Sequence, residues 1–192
     1  NYVVRQRGKG TRVKDQLPDA PLEIQSDDLI ESMVQMGEQT EAKVIEFSYI
    51  KVPSHVAIHL NCRPGDIVQM AVRVRSYKGK PFSYIVSYVP EAIGNNFSKE
   101  DLGHTPLFRL IEKQGIKLTR AEHTVNAVLA DPAVSPLLGV DIGSPLLSVN
   151  KIIYDQNDQP VEYLSDRYRP DRYNYKVNLA VTGAGQASAE GG

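Results

Sequence analysis

The stretch Ile67-Val68-Gln69-Met70-Ala71-Val72-Arg73-Val74-Arg75-Ser76-Tyr77 runs through Lys78-Gly79-Lys80 into Phe82-Ser83-Tyr84-Ile85-Val86-Ser87-Tyr88-Val89. Its reading decides the fold class. The first half alternates with period two, the mark of a strand. The Lys-Gly-Lys triplet is a hairpin turn, and the second half is the returning strand. Two strands alone are marginal in water, so this hairpin needs further strands or helices. Strand patterns recur at residues 42–52, 117–129, 146–154 and 161–169, and residues 173–179 offer one more. The turn Asp155-Gln156-Asn157-Asp158 joins the 146–154 and 161–169 pair. Helical patterns fall between the strands. Asp27 or Asp28 caps one that runs to Met36, with Gly37 as its stop. Pro53-Ser54 opens a short one, and Ser98 with Asp101 makes a capping box. Leu107, Leu110 and Ile111 form the stripe of another, ended by Gly115. Asp131-Pro132 starts the last, which ends at Gly139. Hairpin-linked strands with helices inserted between them predict an α+β fold, a mainly antiparallel sheet with helices packed on it.

Before these elements, Tyr2-Val3-Val4-Arg5 and Thr11-Arg12-Val13 flank the basic glycine turn Gln6-Arg7-Gly8-Lys9-Gly10. This small hairpin is expected to belong to a domain whose remainder precedes Asn1. Residues 14–21, with Pro18 and Pro21, read as a linker, and residues 181–192 as a flexible tail. At 41% hydrophobic, the 192 residues can close a real core, which excludes wholesale disorder. No apolar run approaches the roughly 20 residues of a membrane span. The 22 basic and 23 acidic residues leave a net charge of −1, so no basic nucleic-acid face dominates the chain. Cys62 is the single cysteine and no signal peptide is legible, so a cytoplasmic protein is expected.

In the strand Ile67–Tyr77, Gln69, Ala71, Arg73, Arg75 and Tyr77 share one face, and Val68, Met70, Val72 and Val74 share the other. Arg73 and Arg75 stand two residues apart beside a small alanine. They suit bidentate capture of a carboxylate or phosphate, or else decorate a solvated sheet face. The return strand turns either Phe82, Tyr84, Val86 and Tyr88 or Ser83, Ile85, Ser87 and Val89 to the arginine side. The second set suits a pocket wall, and the first looks like core packing. Glu162, Leu164, Asp166 and Tyr168 share a second face. There a carboxylate and a phenol can hydrogen-bond a ligand, or else the acids pair with Arg167 or Arg169. His55 and His59 lie one helical turn apart but lack a third ligand, so no metal site is expected. His104 and His123 are isolated, and Cys62 has no base near it in sequence. Phosphate loops, dinucleotide fingerprints and nucleophile elbows are absent from the sequence. Neither an enzyme nor a cofactor is expected.

Two sets of motifs resemble a known family. Val4-Arg5-Gln6-Arg7-Gly8-Lys9-Gly10-Thr11-Arg12-Val13 resembles the wing of a GntR-type winged-helix DNA-binding domain. The remainder of the chain resembles the UTRA effector-binding domain of the HutC subfamily of GntR regulators. The resemblance rests on Arg73-Val74-Arg75, on Gly79-Lys80-Pro81 through Ser87-Tyr88-Val89-Pro90, and on Leu107-Phe108 to Gly115. It continues in Leu137-Leu138-Gly139-Val140, Gly143-Ser144-Pro145-Leu146-Leu147, Gln159-Pro160-Val161-Glu162-Tyr163 and Asp171-Arg172-Tyr173. It implies a chorismate-lyase-like α+β fold and a homodimeric bacterial regulator, a repressor, with residues 1–13 as wing remnant and 22–180 as effector domain. By the same resemblance Arg73 and Arg75 hold the acidic group of a small anionic effector, and Glu162, Tyr168 and Thr105 add contacts. Backbone amides of Phe47, Ser48 and Tyr49 add theirs. Arg5, Arg7, Gly8, Lys9 and Gly10 belong to the DNA-facing wing, while operator DNA is held mainly by the part that precedes Asn1. Where amino-sugar-phosphate sensors of the family carry a glutamate, this chain has Ile85. An apolar wall there disfavours a polyhydroxylated ligand and points to a carboxylate with an apolar or aromatic body. The rival readings are a chorismate-lyase-like enzyme, which would have no reason to carry a wing, and a small-molecule binding module without a DNA role.

Overall fold

The computed structural model describes residues 3–6, 10–13, 21–24 and 29–176. Arg7, Gly8 and Lys9 of the expected wing tip lie outside those residues. So do 14–20 of the expected linker, the proposed caps Asp27 and Asp28, and the chain from 177 on.

Two short strands, β1 (Val3–Gln6) and β2 (Gly10–Val13), pair antiparallel, with Arg5 opposite Thr11 and Gln6 opposite Gly10. Strand β3 (Leu22–Glu23) and helix α1 (Leu29–Gln39) lead to the first long strand, β4 (Glu41–Lys51). Helix α2 (Ser54–Ala57) follows, then the hairpin β5 (Ile67–Tyr77) and β6 (Lys80–Pro90). Three short helices come next, α3 (Glu91–Gly94), α4 (Lys99–His104) and α5 (Leu107–Glu112). The chain ends with β7 (Leu118–Leu129), α6 (Ser135–Leu138), the hairpin β8 (Pro145–Asp155) and β9 (Pro160–Tyr168), and β10 (Tyr173–Asn174).

Six strands form one antiparallel sheet in the order β4-β5-β6-β9-β8-β7. The two hairpins anticipated from their turns meet at its centre, β6 against β9. Helices cover one face of the middle strands. Leu102, Leu107, Phe108, Leu110 and Ile111 pack on Ala71, Ile85, Val89 and Leu164. Each such fully buried side chain contributes roughly 1.5–3 kcal/mol, so this layer fixes the helices to the sheet. On the opposite face α2 packs Val56, with nearby Val52 and Leu60, against Val68 and Tyr163, and α6 packs Leu138 against Leu146.

The capping box forms as read: the Asp101 amide donates to Ser98 Oγ at 3.1 Å, and the Ser98 amide donates to Asp101 Oδ2 at 2.8 Å. Gly139 ends α6 at φ 63°, where a left-handed backbone favours glycine. Three sequence expectations need correction. Gly37 does not stop α1. The helix runs on to Gln39, and a Cβ at Gly37 would stand 3.0 Å from Pro106 Cγ, so this glycine permits close packing. Asp131-Pro132 opens a turn rather than the helix. Asp131 Oδ1 accepts from the amides of Ala133 and Val134, both at 2.9 Å, and α6 starts at Ser135. Of the expected strand 173–179, the described part up to 176 is strand at Tyr173 and Asn174, which pair in parallel with Leu22 and Glu23.

Candidate effector site

Register assigns the faces. Arg75 stands opposite Ser83, Arg73 opposite Ile85, and Ala71 opposite Ser87. Cross-strand partners share a face, so Ser83, Ile85, Ser87 and Val89 form the wall beside the arginines. One bulge modifies the pattern: pairing steps from Arg75–Ser83 to Ser76–Pro81, leaving Phe82 as the extra residue. Phe82 therefore leaves the Tyr84 set and stacks near Tyr168, with ring centroids 6.3 Å apart.

The next strand continues the face. Ser83 is opposite Tyr168, Ile85 opposite Asp166, and Ser87 opposite Leu164. Beyond it lie Val149 opposite Asp166 and Lys151 opposite Leu164. The two candidate faces of the sequence are thus a single one. It is not solvated: Arg73 is 3% exposed, Arg75 8%, and Glu162 and Asp166 1% each. The expected pairing of its acids with Arg167 or Arg169 does not occur. Arg167 pairs with Asp131 and Arg169 with Asp171, each at 2.7 Å. Arg167 alternates with Asp166 and Tyr168, so it stands on the other face.

Charges on this face are compensated unevenly. Arg75 Nη1 donates to Thr40 Oγ1 at 2.8 Å and reaches the Met36 carbonyl at 3.5 Å, so it caps the C-terminus of α1. Burial, then the adjacent Arg73 charge, presses the Arg75 guanidinium down to about 10. Burial also lowers Arg73, against the opposite pull of Glu162 and Asp166. Both remain cationic at neutral pH. Lys151 Nζ donates to Asp166 Oδ2 at 2.7 Å and to the Tyr168 hydroxyl at 3.3 Å, and that hydroxyl donates to the same carboxyl oxygen at 2.8 Å. Burial alone would push Lys151 down, but Asp166 and Tyr168 outweigh it and hold the ammonium well above its usual range. Burial raises Glu162 to about 7 despite the pull of Arg73. Both Glu162 oxygens, Asp166 Oδ1, Arg73 Nε and Ser83 Oγ are buried without a hydrogen-bond partner. Unpaired polar atoms at this density are rare inside a protein.

The structure brings Arg73, Arg75, Ile85, Glu162 and Tyr168 onto this face. Phe47 and Tyr49 lie on the neighbouring edge strand, opposite Ala71 and Gln69. The Tyr49 hydroxyl is committed to the Gly94 carbonyl at 2.9 Å. Ser48 turns the other way, with Oγ donating to Glu46 at 3.2 Å. Thr105 ends α4, its amide donating to the Asp101 carbonyl at 2.7 Å, at the junction of the two helices that cover the face. Sequence reading missed Lys151. It sits in a regularly alternating strand, and only the β8–β9 register turns it toward Asp166. It also missed the stack of Tyr168 on Tyr173, 4.2 Å between centroids, which depends on the parallel β3–β10 pair. His59 stacks on Tyr163 at 4.8 Å and His55 meets Tyr88 edge-on at 6.5 Å, on the opposite face.

A protein-family model, the UTRA domain, matches residues 35–174. The HTH-type transcriptional regulator Rv0792c of Mycobacterium tuberculosis is 25% identical over 186 residues, covering 94% of this chain and 67% of that protein. The histidine utilization repressor of Pseudomonas putida is 28% identical over 149 residues, 78% of this chain and 59% of that repressor. Among solved structures, the ligand-binding domain of a proposed GntR-family transcriptional regulator from Bordetella bronchiseptica superposes with a TM-score of 0.70. It is 31% identical, and the match covers 73% of this chain and 91% of that one.

Proposed function

The chain belongs to the UTRA domain family, in the effector domains of GntR-type transcription regulators, and from this we propose that it senses a small anionic metabolite and carries no catalytic activity. The supporting observation is the single buried face on which Arg73 and Arg75 stand beside an unpartnered Glu162. Two guanidinium groups two residues apart fit a carboxylate bidentately. Ile85, opposite Arg73, gives that carboxylate an apolar neighbour. Residues 22–180 form the sensing unit of this reading, and 1–13 the end of a wing whose DNA-binding domain acts on an operator in the cytoplasm. The protein works as a homodimer and a repressor. Among the described residues β7 pairs only with β8, and Val125 and Leu129 are exposed along it, an edge suited to a second copy.

An effector acid that reaches Arg75 meets a guanidinium already engaged by Thr40 and the Met36 carbonyl. Binding and the last turn of α1 are therefore coupled, and α1 precedes the sheet on the side of the linker. Such coupling is typically worth about 1–3 kcal/mol.

Thermal-shift titration with small carboxylates and a hexosamine phosphate tests the reading. A carboxylate at one hundred times its Kd stabilises by about 2.7 kcal/mol. Arg73→Ala should remove that shift. In the protein joined to its DNA-binding domain, Arg75→Ala should abolish the effector response while operator binding persists. Selective stabilisation by the hexosamine phosphate overturns the carboxylate assignment. A response unchanged in both arginine variants overturns the site.

A further inference from the structure

The sensing face is divided by hydrogen-bonding type. Nearer the β5–β6 turn stand donors. Arg73 Nε has no partner, and neither does the Ser83 hydroxyl opposite Arg75. Toward the far end stand mainly acceptors. Both oxygens of Glu162 lack partners there, while Asp166 Oδ1, also unpartnered, belongs to the Arg73 row. Gln69 is 0% exposed, and neither its amide oxygen nor its amide nitrogen has a partner. Gln69 pairs with Val89, and Tyr88 pairs with Tyr163, so Gln69, Val89 and Glu162 occupy one row across three strands. Helix α3 presses on this row: a Cβ at Gly94 would run into the Gln69 side chain.

Gln69 is the more telling residue. A buried amide left with all its groups unpaired is costly, and a leucine would fill the same space without that cost. The rows of Arg73 and Gln69 are four residues apart on β5, about 13 Å at the rise of a strand. Arg73 and Glu162 feel each other's charge, yet neither Glu162 oxygen is hydrogen-bonded.

Resting on the effector reading above, we propose that Gln69 and Glu162 form a second subsite. It takes an N–H-bearing group, an ammonium, amidinium or guanidinium, of a dipolar acid whose carboxylate lies on Arg73 and Arg75. Three unpaired acceptor atoms, one on Gln69 and two on Glu162, call for several N–H donors at once. A plain carboxylic acid would leave them unpaired, and a polyol would face Val89 and Ile85.

The test is calorimetry on the 192-residue chain with three acids of similar length: valerate, 5-aminovalerate and 4-guanidinobutyrate. At least one nitrogen-bearing acid should bind roughly tenfold tighter than valerate. Glu162→Gln and Gln69→Leu should each bring that preference to about twofold or less. Equal binding of all three acids, or a preference that survives both substitutions, overturns the subsite and leaves buried water as its occupant. Binding of none of them counts against the anion reading itself. The melting temperature of ligand-free Gln69→Leu is a second check. It should hold or rise, and a fall would mean that the amide is bonded within the fold, which also overturns the proposal.

Discussion

At the scale of single residues, Glu162 carries the clearest consequence. Its carboxyl sits at about 7, against an ordinary 4.5, because burial outweighs the nearby Arg73. Asp166 adds to the rise, and Lys151 opposes it. A raised acid contributes stability that is fully present below pH 4.5 and is lost as pH climbs through about 7. The loss amounts to at most about 3 kcal/mol. Melting curves taken between pH 4 and 8 should therefore fall more steeply for the wild type than for Glu162→Gln. Parallel curves would mean that the carboxyl is solvated. The arginine pair and Glu162 were legible in the sequence, because alternation in a strand needs no tertiary knowledge. Lys151 was not, because a lysine in an alternating strand looks solvent-facing until Asp166 is placed 2.7 Å away.

At the scale of elements, α1 depends on a residue far from it in sequence. It has no basic residue in its last turn, and Arg75 supplies the missing cation from the sheet through Thr40. Thr40→Val should cost about 1–3 kcal/mol, since it leaves a buried guanidinium short of an acceptor. Thr40→Ser should restore most of it. Urea unfolding of the three proteins decides, and an unaltered midpoint in the valine variant would count against the cap. The sequence located nearly every element, and the capping box at Ser98 to the residue, because these signals are local. It misjudged Gly37, where the demand for glycine comes from Pro106 rather than from a helix end. It could not foresee the bulge at Phe82, which arises from the pairing of two strands.

At the scale of the whole molecule, the two hairpins are local, and their meeting at β6 and β9 is not. That one junction turns two candidate faces into a single face. The α+β class followed from the order of patterns, while the composition of the face had to wait for the register. The parallel pair of Leu22–Glu23 with Tyr173–Asn174 acts as a clasp. It holds the two ends of the described sensing unit side by side, so the unit is topologically close to a ring. A ring can be reopened elsewhere. Joining residue 176 to residue 21 by a short glycine-serine bridge, with new ends in the exposed turn at Asn157 and Asp158, should give a circular permutant that folds with the same circular-dichroism spectrum. It should also answer the same acids. A permutant that folds but no longer binds would mean that the order of the chain, and not only the closed arrangement of its strands, builds the site.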